Sequence, residues 1–322
     1  METEVLVVDA QLTNYSSPNR AGEQFMRLIL GDKSGTVRGI IWDIKKIPHT
    51  IKKGDVLSIR GDVNEYHGLQ VIVKEAYKIS SENIDRSLFQ PVANKAPEIM
   101  FKELEEIINE NVKDQYLVAL LNSFFGDEDF LKRFKEAPAA KTIHHNYIGG
   151  LLEHSLETAI FCQKIALMHP DYINKDLLIT GAVLHDIGKV EEYDSDSFNF
   201  DITNRGKLIG HITLGRDILR AKIEKIDGFP EDYKLEMEHI LLSHHGQREW
   251  GSPEIPKTIH AFAVFHADLV GARLNQFALV LKKGLLTDDD WSEWDRYLER
   301  SIFTKNFKDI APENGEEEGR LF

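Results

Sequence analysis

Leu177-Leu178-Ile179-Thr180-Gly181-Ala182-Val183-Leu184-His185-Asp186-Ile187-Gly188-Lys189 ends an apolar run with a histidine, a carboxylate and a lysine. Such a run is predicted to be a buried helix. An ionised Asp186 at its end is costly unless it is paired or bound to a metal. The same tension recurs along the chain. His154 follows Gly149-Gly150-Leu151-Leu152-Glu153, and His211 lies in Gly210-His211-Ile212-Thr213-Leu214-Gly215. His244-His245 closes Ile240-Leu241-Leu242-Ser243, and Asp268 follows Ala261-Phe262-Ala263-Val264-Phe265-His266-Ala267. Imidazole and carboxylate together suit Mn²⁺, Fe²⁺, Zn²⁺ or a similar divalent ion.

Each residue alone also has a plain structural reading. A lone buried histidine is usually a satisfied core or capping group, and His244-His245 suits a polar helix end. Asp268 can pair with Arg273, and His-Asp dipeptides occur by chance. The ordered set, spread over several apolar segments, is much stronger than any member of it.

Outward from this set, the chain from about residue 98 is helical by pattern. Phe101, Leu104, Ile107 and Ile108 recur at helix spacing, and Tyr116 to Leu121 continue an apolar, helix-like run. Further helices are predicted over 148–165, 177–185, 209–226, 234–244 and 257–281. The N-terminal part reads differently. Strands are predicted at 4–10, 24–30, 36–42, 55–63 and 69–73, with turn chemistry at Asp32-Lys33-Ser34-Gly35 and around Tyr66-His67-Gly68. Five short strands with a break between the third and fourth fit a small closed or partly open barrel. The expected division is a barrel over 1–80, a linker over 81–97 punctuated by Pro91 and Pro97, a helical domain over 98–309, and an acidic flexible tail over 310–322.

Composition narrows the class. The 322 residues include 42% hydrophobic and 29% charged, ample for cores. The single cysteine, Cys162, excludes an internal disulfide framework and a Cys-rich zinc site. No apolar stretch is long enough for a membrane span, and the acidic start Met1-Glu2-Thr3-Glu4 lacks signal-peptide character. A cytoplasmic protein is expected, with no membrane partner. The net charge of -14 is unevenly placed: residues 1–80 carry 11 Lys/Arg against 10 Asp/Glu, and the rest carries 28 against 43. Bound cations would compensate part of that excess.

These residues resemble the HD superfamily of metal-dependent phosphohydrolases, whose His-Asp-x-Gly-Lys core is matched by His185-Asp186-Ile187-Gly188-Lys189. His211 and His244-His245 match its two-metal subset. The wider stretch His144-His145-Asn146-Tyr147-Ile148-Gly149-Gly150-Leu151-Leu152-Glu153-His154-Ser155, after an N-terminal barrel, resembles the YhaM family of 3′–5′ exoribonucleases. The likeness covers about residues 3–300. It implies an OB-type β-barrel followed by an all-α HD domain. It also implies two divalent ions per chain, Mn²⁺ first and Fe²⁺, Mg²⁺, Co²⁺ or Zn²⁺ as alternatives. One ion would be held by His154, His185, Asp186 and Asp268, the other by Asp186, His211, His244 and His245. Asp186 would bridge, and hydroxide activated by the two ions would cut single-stranded RNA, or DNA, to nucleoside 5′-monophosphates, with Asp186 and Lys189 as the catalytic pair. Lys189 lies one turn beyond Asp186 if the helix persists; Gly188 can instead end the helix and leave Lys189 on a loop. On the barrel, Phe25, Trp42 and Tyr66 are candidate stacking platforms, with Arg27 and Arg38 among the charges; Phe25 and Trp42 have barrel core as the competing assignment. His144, His145 and Asn146 have no assigned role. A homo-oligomer is a further expectation.

Three other readings compete. A phosphohydrolase of free nucleotides shares the HD chemistry but needs no barrel. A cyclic-dinucleotide phosphodiesterase would follow its His-His pair with Gly-Tyr-Pro, whereas this chain reads Gly246-Gln247-Arg248. A non-enzymatic nucleic-acid-binding relic would have lost ligands, and all seven positions here hold competent residues.

Overall fold

The computed structural model describes residues 2–14, 23–32, 34–66, 68–80, 84–90, 92–93, 95–140, 147–194, 197–198, 200–285 and 289–308. His144, His145, Asn146 and the acidic tail lie outside the described residues. The chain forms two compact units, residues 1–92 with 196–201, and residues 93–195 with 202–322.

The first unit is a closed five-strand barrel, in the order β1-β2-β3-β5-β4. Its strands are β1 (Glu2–Asn14), β2 (Gln24–Asp32), β3 (Gly35–Ile41), β4 (Val56–Glu65) and β5 (Leu69–Lys78). All pairings are antiparallel except β3 with β5, where Arg38 to Ile40 run parallel to Gln70 to Ile72. That crossover is the break expected between the third and fourth strands. Strand alternation sorts the residues. Met26, Leu28 and Leu30 of β2 point into the barrel with Val5, Val7, Leu57, Ile59, Val71 and Val73, while Phe25, Arg27 and Ile29 take the other face. β5 is longer than expected because Ala76 continues the inward row. At Gly61 a Cβ would sit 2.3 Å from the Ile72 carbonyl oxygen, so the bulge between β4 and β5 requires glycine. Residues 84–90, expected as linker, are partly ordered against the barrel: Phe89 is buried with Leu6, Val56 and Phe198, and the Gln90 side-chain amide donates to the Phe198 carbonyl at 2.9 Å.

The second unit is helical. Its elements are α1 (Pro97–Asn111), α2 (Gln115–Phe125), α3 (Glu128–Glu136), α4 (Gly150–Met168), α5 (Lys175–Leu184), α6 (Lys189–Glu192), α7 (Asn204–Ile209), α8 (His211–Ile223), α9 (Glu231–Ser243), α10 (Ile259–Gly284) and α11 (Lys305–Lys308). Side-chain caps fix several starts: Asp114 for α2, Asp127 for α3, Asn174 for α5, Thr203 for α7 and Thr258 for α10. α5 is buried along its whole apolar run, 177–184, and packs on α4, α9 and α10. The β structure among the described residues of this unit is confined to isolated bridges such as Trp291 with Phe303. No described helix is long and apolar enough to cross a membrane.

Candidate metal centre and nucleic-acid interface

Two helix ends build the middle of the site in the same way. α5 stops at Leu184 and α9 at Ser243, and each is followed by a histidine that keeps helical backbone angles. His185 Nδ1 bonds the Ala182 carbonyl at 2.7 Å, and His244 Nδ1 bonds the Leu241 carbonyl at 2.8 Å. These carbonyls, left over at a helix C-terminus, require Nδ1 to carry the proton, which leaves the Nε2 lone pair as an acceptor; that of His185 lies 3.1 Å from His154 Nε2. His211 and His245 follow the same rule with other acceptors, Glu192 Oε1 at 3.3 Å and the Trp250 carbonyl at 3.2 Å. Glu192 also accepts from the His211 backbone N–H, so one carboxylate oxygen fixes both the start of α8 and its first ring.

All seven residues singled out in the sequence converge. Donor atoms of His154, His185 and Asp268 lie within 4.8 Å of one another, and so do those of His211, His244 and His245. Asp186 stands between the groups. Its Oδ2 is 3.4 Å from His154 Nε2 and 3.5 Å from His185 Nε2. Its Oδ1 is 3.5 Å from His211 Nε2 and 3.4 Å from His244 Nε2. One carboxylate oxygen therefore faces each cluster. Asp186 Oδ1, His211 Nε2 and His244 Nε2 are enclosed and make no hydrogen bond among the described residues. Buried acceptors aimed at one another are unfavourable without a cation to share. The donor set thus fits divalent metal.

The electrostatics agree. Burial opposes charge on Asp186, but the Lys189 ammonium and the hydrogen bond from His154 hold its carboxyl well below the usual range. Burial also opposes charge on Asp268, but the hydrogen bond from His154, 3.2 Å away, and the positive charge beside it together lower the pKa. His154 is buried too, yet hydrogen bonds to Asp186 and Asp268 lift it to about 9. Burial, then the neighbouring His244 and His211, push His245 down to about 3.

Lys189 settles the alternative left by Gly188. The helix ends before His185, residues 185–188 form a turn, and Lys189 opens α6 with its Nζ 2.6 Å from Asp186 Oδ2. Gly188 is required by close approach: a Cβ there would lie 1.9 Å from the His211 carbonyl oxygen and 2.5 Å from the Gly215 nitrogen. Asp268 is not paired with Arg273, whose guanidinium donates to the Tyr297 carbonyl.

On the barrel, Phe25, Arg27, Arg38, Trp42 and Tyr66 line one groove of about 470 Å³ with Asp9, Gln11 and Gln70. Phe25 is buried, but against Trp42 on the outer face of β2, with ring centroids 5.1 Å apart, and not in the barrel core. The Arg27 guanidinium lies 5.4 Å from the Phe25 ring centroid. Trp42 and Tyr66 are 41% and 64% exposed.

Sequence reading missed Glu192 and the Ala182, Leu241 and Trp250 carbonyls. Glu192 has no signal of its own, because Glu191 beside it reads the same; only the fold brings one of them to His211. The Ala182 and Leu241 contacts had a signal, a histidine placed directly after an apolar helix.

Two family models match the chain: an OB-fold nucleic acid binding domain over residues 5–79 and an HD domain over residues 151–273. Among curated relatives, the 3′-5′ exoribonuclease YhaM of Listeria innocua is 31% identical over 268 residues, covering 81% of this chain and 82% of its own. The Shouchella clausii protein of that name is 31% identical over 286 residues, covering 87% and 86%. That of Geobacillus sp. is 28% identical over 295 residues, covering 88% and 87%. Barrel, helical domain and the seven converging side chains thus occur together in a chain that belongs to the YhaM family of 3′–5′ exoribonucleases.

Proposed function

We propose that this chain is a metal-dependent 3′–5′ exoribonuclease that hydrolyses the terminal phosphodiester of single-stranded RNA and releases nucleoside 5′-monophosphates. The observation that carries this reading is the placement of Asp186, with one oxygen toward His154 and His185 and the other toward His211 and His244. In this scheme His154, His185, Asp186 and Asp268 hold one divalent ion, and Asp186, His211, His244 and His245 hold a second. Such ions supply a water acidic enough to ionise near neutral pH and positive charge for the phosphoryl oxygens. The chain's own residues do the rest. The backbone carbonyls and Glu192 orient the imidazoles, and Lys189 fixes a cation beside Asp186, where charge builds on the phosphoryl group. The barrel groove offers aromatic faces and Arg27 and Arg38 to a single strand, which favours a polymer over free nucleotides.

Digestion of end-labelled single-stranded RNA and DNA with Mn²⁺ tests this reading. RNA shortened stepwise from its 3′ end to nucleoside 5′-monophosphates supports it, and the DNA arm decides whether deoxyribose is accepted. Hydrolysis of free nucleotides with no RNA cleavage contradicts it.

A further inference from the structure

A cluster of rings adjoins the candidate metal centre, and its aromatic side chains have no part in the scheme above. Gly246 directly follows His245 and has φ +76°; a Cβ on it would lie 2.2 Å from the Phe265 ring. The Phe265 ring therefore lies flush on the backbone that carries His245. Phe265 is also one helical turn before Asp268 on α10, so it touches on elements that supply both ligand clusters. Trp250 comes next. Its carbonyl accepts from His245, and its ring centroid is 6.3 Å from that of Phe265, inclined by 50°. Along α10 the series continues with His266, 4.6 Å from Phe265, and Phe262, 4.3 Å from His266. Trp250 is 46% exposed and Phe262 56%. A single exposed ring is ordinary, but contiguous rings beside a reactive centre mark a ligand surface.

We propose that this shelf, with Trp250 as its outer platform, stacks the 3′-terminal nucleobase of the RNA undergoing hydrolysis. The inference rests on the exoribonuclease reading and extends it to a base subsite in the helical unit, apart from the barrel groove. A nucleobase fits better than a protein segment for two reasons. The rings adjoin the ligands that would hold the scissile phosphate, and a base with its ribose extends from that phosphate. Stacking accepts every base, as an enzyme that removes successive nucleotides requires.

The test compares two oligoribonucleotides that differ only in whether the 3′-terminal residue carries a base or is abasic. Wild type, Trp250→Ala, Trp250→Phe and Phe262→Ala are assayed for kcat and KM on each, with bound metal quantified. Wild type is expected to favour the base-bearing end by roughly tenfold in kcat/KM. In Trp250→Ala that preference collapses toward unity, chiefly through KM. Trp250→Phe restores most of it, and metal content is unchanged. An equal loss on both ends, or an undiminished preference in Trp250→Ala, overturns the inference; undiminished preference is also the result expected if the shelf docks a protein. If Trp250→Ala loses metal, Phe262→Ala, with its exposed ring, decides by the same ratio. Wild type that cleaves neither oligonucleotide sinks the exoribonuclease reading itself, whereas cleavage without base dependence sinks only the shelf.

Discussion

Among the described residues, Asp186 is the carboxylate that faces both histidine clusters, and the Lys189 ammonium lies against it. Replacing Asp186 with Ala should remove metal and hydrolysis together, with activity falling at least about a thousandfold. Lys189→Ala should separate the two. Lys189 is not among the proposed ligands, so metal should stay while kcat falls roughly a hundredfold, the scale of one lost electrostatic stabiliser. Parallel metal analysis and kinetics of both variants check this, and loss of metal in Lys189→Ala would reassign the lysine to structure. Gly188 matters through what it lacks. Alanine there would drive a methyl group into the His211 carbonyl, displacing α8 or the 185–188 turn. Thermal unfolding of Gly188→Ala should show a loss of at least about 2 kcal/mol, with weakened metal binding, because His211 rides on α8.

At the scale of elements, burial between packed helices and the carboxylates they bring together decide how the rings titrate. In the metal-free protein, burial first, with His244 and His211 nearby, keeps His245 neutral down to about 3, whereas an unfolded histidine ionises near 6.5. Between those values the unfolded chain binds the extra proton, so stability falls as pH drops through that window. Asp186 and Asp268, held low, add to the same acid limb. His154 acts oppositely. Its pKa of about 9 means the folded state keeps a proton that the unfolded chain has released, so this contribution fades as pH rises from about 6.5 through about 9. Melting in EDTA from about pH 3 to about pH 9 should peak at about 6.5, where the two limbs meet. Divalent metal should flatten the alkaline limb, because an ion takes the proton's place at His154. A metal-free profile rising steadily to pH 9 would contradict these assignments.

The same elements explain what could be read beforehand. Strands such as 24–30 were legible because alternation survives where one face is buried and the other is not. The candidate ligands were legible because a histidine or carboxylate at the end of an apolar run such as 177–184 is expensive to bury and so conspicuous. α3 was not, since its short amphipathic turn has only Phe130 and Phe134 in the core. Nor was Glu192, which is assigned by the approach of α8 and by no local pattern. The outward placement of Phe25 and Trp42 depended on register, which one residue of slip would have reversed.

At the scale of the molecule, each unit has its own core, Leu28, Leu30 and Leu57 in the barrel and Leu104, Phe124 and Leu178 among the helices. Charge is divided as well: residues 1–80 are close to neutral, and the rest carries the acidic excess. RNA affinity should therefore depend on barrel contacts and fall as salt rises. Trp42→Ala should weaken single-strand binding by about 1–3 kcal/mol and leave metal content alone; fluorescence anisotropy across a salt series checks both affinity and slope. Unchanged affinity would remove the groove from the RNA path. The most direct test of the central claim is elemental analysis of the purified chain, wild type beside Asp186→Ala, after saturation with Mn²⁺ and removal of free ion. Two tightly held ions per wild-type chain, with neither kept in Asp186→Ala, is the result this account predicts. A wild type that binds no ion yet degrades RNA, or an Asp186→Ala variant that keeps both, would contradict it.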